Sequence, residues 1–203
     1  MVVVRFEQAK PSISKQMKVA RNGKAAALTA DQLAALLDAA PARYRCLFAL
    51  QRYTAARVSE ALALSWADVA GGLVTFRRAT TKTKATRQVP QSKALQAELA
   101  AWREAWAELH GHTPRPSEAV FPGANSTTTP QTRQAADLAL RRLCRQVGIE
   151  GASLHSFRRT AAQDAVGRGV PLHHVQALTG HKSLGSLGEY LQATQEQVLA
   201  AIG

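Results

Sequence analysis

One interruption in an otherwise helical pattern constrains the fold of this chain more than any other feature. Apolar residues recur at helical spacing over most of the sequence, but the period changes at about residue 69. There the turn signal Gly71-Gly72 precedes the β-forming residues Leu73–Phe76, and a second extended segment ends at Pro90. Helical spacing then resumes. The sequence therefore predicts an α+β fold that is mainly α-helical, with one small antiparallel β-sheet of about three strands.

Helices are predicted on both sides of this β segment. The first begins with a capping box, in which Thr29 is the N-cap and Gln32 is the third helical residue. A later helix is expected to begin at Pro130 after Thr129 as N-cap, because proline suits the first helical position. The predicted helices after the first cover residues 43–54, 58–66, 92–108, 130–147, 154–168, 172–178, 183–190 and 193–202.

The composition of the chain indicates which classes of partner it can bind. The formal net charge is +12, which makes the chain a candidate binder of polyanions, although a basic background composition would give the same charge. Cys46 and Cys144 lie in apolar helical patterns and predict a reduced, cytoplasmic protein without disulfides. No apolar run approaches the roughly 18 residues of a membrane span, and the N-terminus lacks a signal-peptide pattern. We therefore expect no membrane partner.

Residues 1–25 are expected to form a basic N-terminal arm or linker, and residues 26–203 a single domain. The arm carries six Lys or Arg residues against one acid, Glu7, and its apolar residues have no clean period. Two interpretations remain open, namely a disordered tail or an arm that lies along a phosphate backbone.

The segment 154–190 contains side chains that suit phosphoryl transfer. Arg158 follows His155 by about one helical turn, and His181 and Tyr190 complete the set. An arginine can bind phosphate oxygens, a histidine can donate hydrogen bonds or move protons, and a tyrosine can attack phosphorus. Each residue alone also has an ordinary structural explanation, such as a helix cap or a half-buried phenol. The assignment therefore depends on what the rest of the chain supplies.

Five motifs, in order along the chain, carry a resemblance to a known family. They are residues 54–68, Thr-Ala-Ala-Arg-Val-Ser-Glu-Ala-Leu-Ala-Leu-Ser-Trp-Ala-Asp; residues 81–90, Thr-Lys-Thr-Lys-Ala-Thr-Arg-Gln-Val-Pro; residues 155–160, His-Ser-Phe-Arg-Arg-Thr; residues 178–183, Leu-Thr-Gly-His-Lys-Ser; and Tyr190. They resemble the arginine box, β-hairpin, His-x-x-Arg box, Leu-Gly-His segment and nucleophile of the tyrosine recombinases, the phage-integrase and Xer-like family. The resemblance extends from Leu33 to Tyr190 and implies the tyrosine recombinase catalytic-domain fold.

The resemblance implies how the DNA backbone would be cut. Tyr190 would attack a scissile DNA phosphate and form a 3′-phosphotyrosyl link, which releases a 5′-hydroxyl. Lys82 would protonate that leaving oxygen. The hairpin tip lacks the glycines that are common in the family, so Lys84 remains an alternative, and counting back from Pro90 favours Lys82.

The remaining implied roles concern the phosphate itself. Arg57 and Arg158 would bind its non-bridging oxygens, because two planar guanidinium groups match the geometry of a phosphodiester. His155 and His181 would hydrogen-bond the phosphate and help to position or deprotonate the tyrosine, and Glu60 would be a supporting residue. No metal and no cofactor are expected, because the arginines would stabilise the charge that a divalent ion otherwise stabilises. Further DNA contacts are expected from Arg77, Arg78, Lys84, Arg87, Arg159 and Lys182.

The implied function is site-specific recombination of double-stranded DNA, without ATP, by a homo-oligomer that forms a tetramer on DNA. The alternative is a DNA-binding regulator that keeps the fold and does not recombine. No separate core-binding domain is expected, so the chain is either an isolated catalytic domain or a naturally short member like the fimbrial-switch invertases. Residues 193–202 are expected to dock either on a neighbouring protomer or on their own chain. The histidines expected at the surface are His110, His112, His173 and His174.

Overall fold

Helices dominate residues 25–81 and 85–188, the parts of the chain that a computed structural model describes. This confirms the prediction of a mainly α-helical α+β fold. In chain order the elements are α1 (Ala30–Ala39), α2 (Ala42–Thr54), α3 (Val58–Leu62), a 3-10 helix (Trp66–Val69), β1 (Leu73–Phe76), β2 (Arg87–Pro90), α4 (Lys93–His110), β3 (Pro122–Gly123), β4 (Ser126–Pro130), α5 (Arg133–Gln146), α6 (Ser156–Gly167), α7 (Leu172–Thr179) and α8 (Leu184–Gly188).

Helix α2 lies at the centre of the packing. Its residues 46–51 are all buried, and it packs against α1, α3, α4 and α6. Phe48 of α2 stacks on Phe157 of α6, with ring centroids 4.6 Å apart. Burying a side chain of this size contributes about 1.5 to 3 kcal/mol. The stack therefore holds α2 beside the first turn of α6, where part of the predicted site lies.

In the part of the chain that the structure describes, the strands form two antiparallel sheets of two strands each, where the sequence predicts one sheet of about three. Strands β1 and β2 pair with Phe76 opposite Arg87. Strands β3 and β4 form the second sheet. The difference arises because Ser126–Pro130 is polar and largely exposed, so its pairing leaves no alternating apolar signal in the sequence.

Helix α5 begins later than its sequence predicts. Pro130 is the last residue of β4, and α5 begins at Arg133. Thr132 is the N-cap, because its side chain accepts a hydrogen bond from the backbone N–H of Ala135 at 3.2 Å. The prediction that Pro130 opens this helix is therefore wrong.

The predicted helix over residues 58–66 is also shorter than expected. It ends at Leu62. A separate 3-10 helix follows, and the Asp68 carboxylate caps its start by accepting hydrogen bonds from Ser65 N and Oγ at 2.9 and 2.7 Å. The arm residues 1–24 and the predicted helix 193–202 lie outside the described residues. Within the described ranges, no helix is long and apolar enough to cross a bilayer.

Candidate active site

Three segments meet beyond the C-terminal end of α2. They are the turn that leads from α2 into Arg57, the first turn of α6 with Arg158, and the turn after α7 with His181. Ala55, the C-cap of α2, has a left-handed φ of 51°, and its carbonyl accepts a hydrogen bond from Arg158. This bond ties the start of α6 to the chain that enters Arg57.

Arg57 is held in place by Glu60. Arg57 is the N-cap of α3, its Nη1 donates to Glu60 Oε1 at 2.8 Å, and its backbone N–H donates to Glu60 Oε2 at 3.0 Å. Glu60 is 2% exposed, so its carboxylate is removed from water. The Arg57 side chain remains partly exposed. The pair therefore orients one guanidinium group at the accessible side of the site, and this geometry fits a supporting role for Glu60.

Arg158 is the most deeply buried of the described cations at the site. It is 1% exposed, its Nη1 donates to Ala55 O at 2.6 Å, and its Nη2 donates to Nε2 of His181 at 3.1 Å. Because Ala55 precedes Arg57 by two residues, the first of these bonds fixes the position of one arginine relative to the other.

His181 is neutral in this arrangement and carries its hydrogen on Nδ1. A guanidinium group can only donate, so Nε2 offers its lone pair to Arg158. On the other side of the ring, Nδ1 lies 2.8 Å from Thr179 Oγ1, whose own hydrogen is donated to Val175 O at 2.8 Å. Burial and the charges of Arg158 and Arg57 lower the pKa of His181 to about 4. At neutral pH, Nε2 is therefore a proton acceptor.

Of the remaining predicted catalytic residues, the structure describes His155. His155 is the N-cap of α6 and is exposed, about one turn before Arg158. Lys82, Lys84 and Tyr190 lie outside the described residues. The described chain ends in α8 at Gly188, two residues before the predicted nucleophile.

Two arginines predicted to contact DNA are largely covered by the protein. The Arg87 side chain is 14% exposed, and its Nη1 donates to the carbonyls of Thr54 and Leu178. Arg159 is 8% exposed and lies in the buried first half of α6. Tertiary packing covers most of both side chains, which the charge pattern of the sequence does not record, and their DNA contacts stay predictions.

The other cations predicted to contact DNA are exposed where the structure describes them. Arg78 and Lys182 are exposed at the end of β1 and after His181, respectively. Arg77 is also exposed, although its Nε donates to Asp68 Oδ1 at 2.6 Å. Thr179, which fixes the tautomer of His181, is a site residue that sequence reasoning missed; its adjacency to Gly180-His181 was the available signal.

A second polar cluster closes the loop after α4. His112, predicted to be a surface residue, is partly buried, and its Nε2 lies 3.1 Å from Oε1 of the buried Glu118. Burial tends to raise the pKa of Glu118, but hydrogen bonds from Arg115 N, Thr127 and His112 lower it to about 2. Among the residues that the structure describes, no group of three or more His, Cys, Asp or Glu side chains could hold a metal ion.

Comparison with known proteins identifies relatives of the chain. The sequence profile of the phage integrase family matches residues 26–197. The tyrosine recombinase XerC of Bifidobacterium longum (strain DJO10A) is 28% identical over 200 residues, which cover 87% of this chain and 56% of that protein. The chain thus spans about half the length of the curated relatives it matches.

Two solved structures share the fold. XerA recombinase matches with a TM-score of 0.71 at 18% identity, covering 87% of this chain and 62% of that one. XerH site-specific recombinase, bound to a palindromic difH substrate in a post-cleavage complex, matches with a TM-score of 0.69 at 21% identity, covering 87% of this chain and 51% of that one. At these identities the similarity shows the fold alone.

Proposed function

Because the chain belongs to the phage integrase family, we propose that it acts as a site-specific tyrosine recombinase that cleaves and rejoins duplex DNA. The observation that supports this most directly is the position of Arg158, which donates one hydrogen bond to Ala55 O, two residues before Arg57, and another to Nε2 of His181. A phosphodiester spreads one negative charge over two non-bridging oxygens, and two planar guanidinium groups match that geometry. Glu60 offsets part of the positive charge until a phosphate arrives.

In the proposed reaction, Oη of Tyr190 attacks the phosphorus and the bond from phosphorus to the 5′-oxygen breaks. The product is a 3′-phosphotyrosyl ester and a free 5′-hydroxyl. The ester conserves the energy of the broken bond, so attack by a 5′-hydroxyl reverses the step without ATP. Nε2 of His181 accepts the tyrosine proton once phosphate oxygens replace it as the partner of Arg158. His155, exposed at the start of α6, donates a hydrogen bond to a non-bridging oxygen.

The leaving 5′-oxygen is strongly basic and needs a proton, which we assign to Lys82 with Lys84 as the alternative. A substrate with sulfur in place of the bridging 5′-oxygen distinguishes the two, since a thiolate is far less basic and leaves without protonation. Loss of the acid is expected to slow cleavage of the oxygen substrate by roughly 10² to 10⁴ and to have little effect on the sulfur substrate. We expect this rescue for Lys82→Ala. Rescue of Lys84→Ala instead would assign the acid to Lys84.

We further propose that the substrate is double-stranded DNA and that the active assembly is a homo-oligomer, a tetramer on DNA. The net charge of +12 and the exposed cations Arg78 and Lys182 suit a phosphate backbone. The XerH complex is an example of a related protein on its DNA site. Because DNA is the proposed substrate, we also propose that the protein acts in the cytoplasm.

Covalent capture tests the proposal. The chain is incubated with a pool of random-sequence duplexes, each nicked so that the short fragment with the new 5′-hydroxyl dissociates and leaves the ester trapped. Adducts are isolated under denaturing conditions and the attached DNA is sequenced. We expect adducts with one enriched sequence. Tyr190→Phe should abolish them, because it removes the attacking oxygen.

Tyr53→Phe is the matched control, because it removes the hydroxyl of a tyrosine that is 39% exposed on α2 and outside the proposed site. It should form adducts at the wild-type rate. Adducts that persist in Tyr190→Phe would refute the assignment of the nucleophile. Sequence-specific binding without any adduct would instead favour the DNA-binding regulator.

A further inference from the structure

Arg87 joins the β1–β2 hairpin to two parts of the candidate active site. It is the first residue of β2, and its Nη1 donates to Thr54 O at 3.0 Å and to Leu178 O at 2.6 Å. Thr54 precedes Arg57 by three residues, and Leu178 precedes His181 by three residues. One nitrogen atom therefore binds both the main chain that leads into the arginine and the main chain that leads into the histidine.

Further contacts hold the same guanidinium group. Its Nη2 lies 3.6 Å from Oε2 of Glu60, the oxygen that also accepts the backbone N–H of Arg57. Its central carbon lies 4.3 Å from the centroid of the Phe76 ring. Burial lowers the pKa of Arg87, and the charge of Glu60 opposes this change. Arg87 thus contacts main-chain carbonyls, a carboxylate and an aromatic ring of the protein, and this arrangement favours a structural role over a DNA contact.

Gly180 allows the turn before His181 to lie against this arginine. Its φ of 65° is left-handed, a conformation that glycine adopts without the strain of a side chain. A Cβ atom at this position would lie 3.5 Å from both Cδ and Nε of Arg87. The turn therefore passes close to the arginine, and the hydrogen bond from Arg87 to Leu178 O joins the two directly, so a displacement of Arg87 is transmitted to His181.

We propose that Arg87 is a positioning residue for strand transfer, which fixes the Arg57 corner and the His181 turn relative to each other and makes no contact with DNA. The proposal rests on the proposed function, because the groups that Arg87 positions are those assigned to the scissile phosphate. It gives Arg87 a role different from that of the exposed cations of the same hairpin.

A positioning residue and a phosphate contact differ in what their loss changes. Loss of one phosphate contact weakens binding and reduces the slope of log K against log salt concentration by about 0.9. Loss of a positioning residue leaves that slope unchanged and lowers the rate at saturating DNA. A misplacement of about 1 Å in an active site lowers the rate on the order of 100-fold.

The first experiment measures cleavage by Arg87→Met, which keeps an unbranched apolar stem and removes the guanidinium group. The probe is the nicked duplex recovered by covalent capture. We expect the rate constant at saturating DNA to fall at least roughly tenfold, and the salt slope to remain that of the wild type. Arg78→Met, on the exposed side of the hairpin, should instead reduce the slope by about 0.9. Arg115→Met, in the loop after α4, is the control for loss of one exposed charge and should change neither quantity.

The second experiment needs no DNA. Imidazole NMR signals are assigned with His181→Gln, and the titration midpoint of His181 is compared between the wild type and Arg87→Met. The wild-type midpoint is expected at about 4. In Arg87→Met it should rise toward the ordinary histidine value, because a loosened turn lets the ring separate from Arg158 and regain water. Arg115→Met should titrate like the wild type.

The outcomes separate this proposal from the proposed function. If the wild type forms no adduct, the proposed function fails, while the His181 titration still tests the positioning role. An unchanged rate at saturating DNA, an unchanged His181 midpoint, or a reduced salt slope in Arg87→Met would each overturn the proposal. Restoration of the rate by the sulfur-leaving substrate would also overturn it, because Arg87 would then act through the general acid. If Arg87→Met does not fold, Arg87→Lys is measured instead, with the same expected directions and the same overturning results.

Discussion

Replacing Glu60 with glutamine removes a buried negative charge from the candidate active site and keeps the shape of the side chain. The carboxylate accepts Nη1 and the backbone N–H of Arg57 at 2.8 and 3.0 Å and lies 3.6 Å from Nη2 of Arg87. A glutamine offers one acceptor oxygen and one NH₂ group. In either orientation of the glutamine, its NH₂ group therefore faces an N–H donor of Arg57 or Arg87.

The expected loss of stability follows from these contacts. Removing one partner of a buried ion pair destabilises a protein by about 3 to 5 kcal/mol. Two circumstances reduce the loss here. The Arg57 side chain is 21% exposed and can regain water, and the glutamine oxygen keeps one hydrogen bond worth about 1 kcal/mol. We therefore expect the free energy of unfolding to fall by about 2 to 3 kcal/mol.

Urea denaturation followed by circular dichroism measures this loss, provided that the denaturant slope is unchanged. Glu104→Gln, on the exposed face of α4, is the matched control and should change stability by less than about 0.5 kcal/mol. Sulfate should stabilise Glu60→Gln more than the wild type, because a bound dianion replaces the missing charge beside Arg57 and Arg87. A loss below about 1 kcal/mol, or an equal response to sulfate, would refute the idea that Glu60 holds the two arginines together.

Three further predictions concern single contacts. Thr179→Val should lower the free energy of unfolding by about 1 to 3 kcal/mol in urea denaturation, because it leaves the Nδ1–H of His181 without its acceptor. Gly180→Ala should lower it by about 1 kcal/mol because of its left-handed φ, whereas Gly188→Ala, in α8 with open space around it, should not. The folded pKa of Glu118 is about 2, below its ordinary 4.5, so its contribution to stability is complete above pH 4.5 and is lost as the pH falls through 2. Thermal unfolding of Glu118→Gln should therefore depend less on pH between these values than that of the wild type.

The site could be predicted from the sequence where its geometry is local. Arg57 and Glu60 lie three residues apart at the start of a helix, and that spacing alone brings their side chains together. His155 and Arg158 likewise share the first turn of α6. The contact between Arg158 and His181 depends on how α6 packs against α7, so spacing along the chain cannot give it.

The alternation of residues along β2 indicates that Arg87 points inward, although its charge favours a contact with DNA. Residues two apart on a strand share a face, so Arg87 lies on the same side of β2 as the buried Val89. The alternation therefore indicated an inward arginine, whereas the basic run before it favoured a DNA contact. Pro130 shows the same kind of competition, because a proline suits both the first turn of a helix and an edge strand such as β4.

The bond between Arg158 and His181 gives the proposed reaction an order of events. A charged phosphate oxygen is a stronger acceptor for a guanidinium group than a neutral imidazole, so substrate binding replaces Nε2 of His181 at Arg158. Thr179 keeps the hydrogen on Nδ1, so the lone pair that Arg158 releases remains on Nε2. The negative charge of the phosphate raises the pKa of His181 from about 4 toward its ordinary value, which makes the ring a better proton acceptor. In the proposed reaction, the arriving phosphate therefore neutralises the arginines and activates the base in one step.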